Sequence, residues 1–262
     1  MENRGKGRIL RRVLVAFALV VAVCAGALWW YASDYYHADA VASAAAADVD
    51  GASDGVSVQE LAGGKLAFVP AHATWGLVFY PGAKVEPEAY APLLTSCARE
   101  GILCVLARPP LNIAFFDMNA AQGVAEQFPE VEHWLVGGHS LGGVVASSYL
   151  DKHEDELAGL VLLASYPTAD LTDFGGTVIS VVGERDGVLD HERYEEARSK
   201  LPTSTQELVI VGGNHAGFGN YGAQEGDEAA TISADEQQRQ TVAGICALVE
   251  GDTPAASGIS VL

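Results

Sequence analysis

The sequence predicts an α/β domain, a mostly parallel sheet with helices on both faces, preceded by one membrane-spanning helix. Three observations carry this. Short apolar runs alternate with longer amphipathic ones from about residue 56 to residue 250. One of those runs passes through a glycine-flanked serine directly into a helix-like segment. Near the N-terminus, Val13–Tyr31 holds 19 residues without a charge.

That uncharged run comes first in the chain. A hydrocarbon core about 30 Å thick needs roughly 20 apolar residues at 1.5 Å each. Trp29, Trp30 and Tyr31 close the run, where aromatic rings suit a membrane interface. Before it, residues 1–12 carry five cations against one acid, which places that end in the cytoplasm by the positive-inside rule. A cleaved signal is the competing reading, through the small-x-small step Ala38-Asp39-Ala40. The apolar run is longer than a signal core of about 7–15 residues, which favours a retained anchor. Residues 13–31 are therefore read as a single-pass anchor with the body outside the cytoplasm.

Residues 32–55 contain nine Ala and five Asp and are expected to form a tether with nothing to pack against. Residues 251–262 are read as a loose tail, which leaves 56–250 as one folded domain. The whole chain carries a net charge of −19, with a mean hydropathy of +0.17. Beyond residue 12 there are 10 basic and 33 acidic residues, a surface that cannot replace the counterions of nucleic acid. Such a body should also disfavour anionic substrates, unless Lys84 holds one locally.

Within the domain, strands are expected at Lys65–Val69, Gly76–Tyr80, Ile102–Ala107, His133–Gly137, Leu160–Ala164, Thr177–Val182 and Glu207–Val211. Continuous Val/Leu/Ile-rich runs of this kind suit strands buried on both faces. Helices are expected at Pro87–Glu100, Asn119–Phe128, Leu141–His153, His191–Lys200 and Asp235–Glu250. Ser233 with Glu236 gives the last one a capping box. Three cysteines lie outside the anchor, and a Cys97–Cys104 bridge is conceivable from their positions alone.

Chemistry concentrates at Gly137-Gly138-His139-Ser140-Leu141-Gly142-Gly143. A serine on a sharp strand-to-helix turn needs small neighbours, and the helix N-terminus beside it supplies free N–H groups. Serine attacks only if a base takes its proton, and the base needs an orienting acid. Asp186 lies four residues past one expected strand end and His215 four past the next. Glu184 and Asp190 are rival acids, though Asp190 sits where a helix cap is the simpler role. No histidines stand at metal-ligand spacing, so no metal and no cofactor are expected. Gly219–Ser233 is long for an unstructured connection, which points to a role near the site.

Tyr80-Pro81-Gly82-Ala83-Lys84-Val85, the serine motif, and Gly212-Gly213-Asn214-His215-Ala216-Gly217-Phe218-Gly219 together resemble the α/β-hydrolases. They are most similar to a compact bacterial branch built like dienelactone hydrolases. The resemblance implies an eight-stranded sheet and a triad of Ser140, Asp186 and His215. It also implies an oxyanion hole from the backbone N–H of Leu141 and of Ala83, or Lys84 in place of Ala83. Pro81-Gly82-Ala83 departs from the His-Gly of many lipases and esterases. Only 12 residues, Ser165–Gly176, follow the expected sixth strand, too few for a lid. The expected activity is hydrolysis of small carboxylic esters through an acyl-enzyme, and the alternative is a non-catalytic binding or scaffold protein. The sequence leaves the oligomeric state open.

Overall fold

The computed structural model describes residues 3–48, 55–251 and 259–260. It divides into an N-terminal unit, Met1–Tyr35, and a domain that begins at Tyr36. The N-terminal unit is one helix, α1 (Asn3–Ser33), in which Leu10–Tyr31 is long and apolar enough to cross a membrane.

Eight strands build the sheet: β1 (Ser57–Glu60), β2 (Leu66–Val69), β3 (Trp75–Tyr80), β4 (Ile102–Leu106), β5 (His133–His139), β6 (Gly159–Leu163), β7 (Thr177–Gly183) and β8 (Gln206–Ile210). A two-residue strand, β9 (Ile259–Ser260), adds antiparallel to the β8 edge. The spatial order is β1-β2-β4-β3-β5-β6-β7-β8-β9, with β4 through β8 parallel and β1 and β2 antiparallel. The chain steps from β3 outward to β4 and then crosses back to β5. That reversal opens a crevice at the carboxyl ends of β3 and β5, where an open α/β sheet binds its ligands.

Alternate residues of each central strand enter opposite cores, which explains the unbroken apolar runs. Leu77 and Phe79 face one layer with Leu93, Leu94 and Ile245, while Val78 and Tyr80 face the other with Val145, Ala146 and Leu150. Helices α3 (Ala91–Arg99) and α6 (Ala234–Glu250) cover the first face, and α4 (Leu141–Leu150) covers the second. Helix α5 (His191–Arg198) starts on an Asp190 cap and follows β7. Ser233 Oγ caps α6 by accepting the Glu236 N–H, but the Glu236 carboxylate is taken by Arg239 and Gln240, so only half of the expected box forms.

Two expectations are corrected. Asn119–Phe128 is not a helix. Gly123 takes φ +73°, and the segment runs as turns and a single 3-10 turn at Ala125–Gln127. Tyr80 holds it instead, donating from Oη to Met118 O and accepting the Ala121 N–H. Residues 32–55 are not simply a tether. Asp39 caps a helix α2 (Ala40–Ala46), which packs on α3 with Ala42 fully buried. A run of alanines lets two helix backbones approach closely, so the segment had a partner after all. Residues 49–54 lie outside the described residues, as does most of the 251–262 tail. Cys97 and Cys104 are both buried and remain free thiols.

Candidate active site

Strand β5 ends at His139 and α4 begins at Leu141, so Ser140 alone makes the turn. It does so at φ +51°, ψ −121°, a conformation that costs a residue with a β-carbon about 1–3 kcal/mol. The surroundings hold it there. Ser140 N–H donates to Leu163 O (2.9 Å), and its carbonyl accepts from Ser165 Oγ (2.7 Å). Gly142 is needed because a Cβ would run into the Tyr80 and Pro81 carbonyls. Gly138 is needed because a Cβ would strike the Gly142 backbone.

Asp186 follows β7 and His215 follows β8, and the two meet below the cleft. His215 Nδ1–H donates to Asp186 Oδ2 at 2.9 Å, with Oδ1 at 3.1 Å. A carboxylate only accepts, so the Nδ1 proton is fixed and Nε2 keeps its lone pair. Asp186 is 4% exposed and His215 1% exposed. Asp186 Oδ1 also accepts the N–H of Val188 and of Leu189, which fixes the carboxylate plane. The rival acids are engaged elsewhere. Glu184 accepts the Gly212 N–H, and Asp190 caps α5.

Ser140 and His215 line one cleft of about 210 Å³ with Leu141, Val144, Ala164, Ser165, Tyr166, Val188, Leu189 and Asp190. Within it His215 Nε2 has no hydrogen-bond partner. The first N–H of a helix has no intrahelical acceptor, which leaves that of Leu141 available. In the loop after β3, Gly82 N–H donates to Tyr90 Oη (3.0 Å) and Lys84 N–H to Asn112 O (2.8 Å). Both are spent. Ala83 N–H finds no acceptor among the described residues, whereas the Lys84 N–H has one. Among the described residues no three His, Cys, Asp or Glu side chains converge as a metal site. A larger groove, about 990 Å³, runs between α2, α3 and α6 and is lined by none of Ser140, Asp186 and His215.

A model described as the alpha/beta hydrolase family matches residues 76–239. The chain belongs to the alpha/beta hydrolase family. Among solved structures, the chain is similar to TT1662 from Thermus thermophilus, at 17% identity and a TM-score of 0.55 over 76% of this chain and 99% of that one. At that identity the likeness is one of fold. No curated protein matches.

Several residues that shape the candidate site were not legible in the motifs. Asp227 accepts the N–H of Gly187, His215 and Ala216, so one carboxylate joins the acid turn to the base turn. Gln237, fully buried on α6, pairs with both the N–H and the carbonyl of Asn214. The unusual length of Gly219–Ser233 was the only sequence signal for Asp227. That stretch carries the clamp and contributes no residue to the cleft lining.

His139, inside the elbow, is packed 4.5 Å from the His215 ring and shares a hydrogen bond with Tyr90 Oη at 2.8 Å. Burial, reinforced by the His215 imidazole, holds its pKa well below the ordinary 6.5. The unfolded chain therefore takes up a proton here as pH falls below about 6.5 while the folded hydrolase does not, so stability declines from that point downward. His139→Gln should flatten that decline by up to about 1.4 kcal/mol per pH unit between pH 6.5 and 5. Urea unfolding at several pH values measures it, and equal slopes for the two proteins would sink the prediction.

Proposed function

We propose that this chain is a membrane-anchored serine hydrolase that cleaves carboxylic esters of small substrates through an acyl-enzyme. The observation that carries the reading is the tautomer lock. Buried Asp186 accepts the hydrogen bond of His215 Nδ1–H and leaves Nε2 as the base in the cleft that Ser140 lines. Nε2 takes the Ser140 Oγ proton as Oγ attacks the carbonyl carbon, and the imidazolium is stabilised by Asp186. Negative charge develops on the carbonyl oxygen, where Leu141 and Ala83 N–H groups supply two donors. His215 then protonates the leaving alcohol, and water repeats the sequence to release the acid. Hydrogen bonds between serine and base commonly tighten only once substrate is bound.

Val144, Ala164, Val188 and Leu189 give the cleft apolar walls. Its volume is below the roughly 300 Å³ of ordinary small-ligand pockets, which favours short acyl groups. The crossover from β6 to β7 contains no helix, leaving the mouth open.

Membrane attachment through residues 13–31 rests on a helix whose apolar residues are exposed all round, with Val13, Leu14, Phe17 and Leu19 each more than half exposed. A water-soluble helix buries such a stripe, and a helix apolar on every side belongs in lipid. The candidate cleavage step Ala38-Asp39-Ala40 also falls inside folded structure, where Asp39 caps α2. That supports a retained anchor.

The test is a tagged fluorophosphonate applied to intact cells, followed by fractionation and an ester series of increasing acyl length. A labelled full-length band should pellet with membranes and lose its domain to external protease, and short-chain esters should turn over fastest. Failure of the purified protein to label would reject the enzyme reading. A mature chain beginning at Val41 would reject the anchor.

A further inference from the structure

The chain between α1 and α2 makes a dense set of bonds to the site loops. Tyr36 forms a one-residue parallel bridge with Val85, its N–H donating to Lys84 O (2.7 Å) and its carbonyl accepting the Glu86 N–H (2.9 Å). The Tyr36 ring packs on Tyr221 at 5.6 Å, and its Oη accepts the Glu225 N–H. Ala38 N–H donates to Glu86 Oε2 at 2.8 Å. Asp39 N–H donates to Asn220 O (2.9 Å), and its carboxylate accepts from Asn220 Nδ2. Tyr36, Ala38 and Asp39 together thus touch both the loop after β3 and the loop after His215.

We propose that Tyr36–Asp39 are positioning residues of the active site, a clamp that holds the Ala83 N–H ready for the oxyanion. The inference rests on the acyl-transfer reading above and extends it to a segment outside the strand–helix framework. Its physical basis is Lys84, which follows Ala83 and sits at φ +59°. A side chain with a β-carbon is unfavourable in that region and stays there only when its surroundings over-determine it. Three backbone bonds from outside the loop fix Lys84 and Glu86. Asn112 O takes the Lys84 N–H, and Tyr36 supplies the other two. Tyr90 Oη fixes the front of the loop through Gly82. Without Tyr36 the strained residue loses the bond to its carbonyl, and the peptide before it loses a constraint on the direction of its N–H. The segment begins five positions after the apolar run ends at Tyr31, so the catalytic loops are tied to the chain next to the anchor.

The test uses full-length protein. Tyr36→Pro removes the N–H that Lys84 O accepts while retaining an extended backbone. An oxyanion donor acts mainly in the transition state, so kcat should fall about 10- to 100-fold with KM within about twofold. Adding Lys84→Gly should recover part of that loss, because glycine takes a left-handed conformation without the steric cost. A merely structural segment would show no such rescue. Unchanged kcat in Tyr36→Pro, or a loss that Lys84→Gly does not relieve, overturns the clamp. Should Tyr36→Pro fail to fold, Asp39→Ala decides: a severalfold lower kcat at constant KM supports the clamp, and a wild-type kcat overturns it. Fluorophosphonate labelling of wild type alongside separates the two readings. An unlabelled wild type fails the enzyme reading, whereas a labelled wild type with fully active variants fails the clamp alone.

Discussion

Ser140→Ala should remove esterase turnover, with kcat down by a factor of about 10⁴ or more, and His215→Ala should do the same. Each substitution deletes one member of a unit that works only when complete, so the double variant should be no worse than either single one. Asp186→Asn should retain a trace. It leaves the nucleophile and the oxyanion donors untouched but presents an amide to His215 Nδ1, which loses the carboxylate that fixes the tautomer. All three variants should fold. Ser140→Ala keeps the backbone that makes the elbow, whose bonds to Leu163 and Ser165 run through the main chain of residue 140. Steady-state kinetics on a short-chain ester, with thermal unfolding as the control, reads the whole set. Wild-type activity in Asp186→Asn would move the acid role to Glu184 or Asp190. Undiminished turnover in Ser140→Ala would remove the acyl-enzyme altogether.

Asp227→Ala should lower kcat about 100-fold although Asp227 itself does not line the cleft. Its two oxygens accept three N–H groups from Gly187, His215 and Ala216, so they set the spacing between the acid and base turns. A displacement of about 1 Å in a catalytic group costs on the order of 10²-fold in rate. The same change should cost stability. Hydrogen bonds to a charged acceptor contribute roughly 1.5–3 kcal/mol each when lost in a dry site, and here water can replace some of them. A net loss of about 2 kcal/mol would lower Tm by roughly 4–8 °C in a domain of this size. Asp227→Asn should fall between, since one oxygen remains to accept while the amide opposes an N–H. Kinetics and calorimetry together test this. A normal kcat in Asp227→Ala would show that Gln237 and Asp186 alone hold the histidine.

The separation of effects has a structural origin. Ser140, Asp186 and His215 follow the ends of β5, β7 and β8, and strand ends are places where pattern in the sequence is strong. Seven of the eight principal strands were evident as apolar runs, because most are buried on both faces and rich in Val, Leu and Ile. The strand that escaped, Ser57–Glu60, lies at the sheet edge, where Val58 is buried and Gln59 and Glu60 are exposed, too short an alternation to stand out. Helix α4 and the elbow were legible for another reason. Gly138 answers a steric demand made by the Gly142 backbone and Gly142 one made by the Tyr80 and Pro81 carbonyls, and glycine is the one residue that meets them.

Local sequence therefore determined the sheet, the elbow serine, the order of acid after nucleophile and base after acid, and the apolar run at Val13–Tyr31. Tertiary structure decided the rest, wherever a residue's meaning depends on a partner far away in the chain. The alanines at 40–46 carry no pattern of their own, and only the nearby face of α3 turns them into a packed helix. Asn119–Phe128 has helical propensity, yet Tyr80 Oη, some forty residues earlier, takes its backbone groups and Gly123 breaks its path. Asp227 reads as one acid among 34 until the fold places three N–H groups from two other loops around it. Ala83 became the candidate donor over Lys84 only because Asn112 and Tyr90 consumed the neighbouring N–H groups. Periodicity and steric necessity act over a few residues and leave a trace in sequence. Hydrogen bonds between distant loops leave none, because any Asp, Gln or Tyr can make them and only the folded chain says which one does.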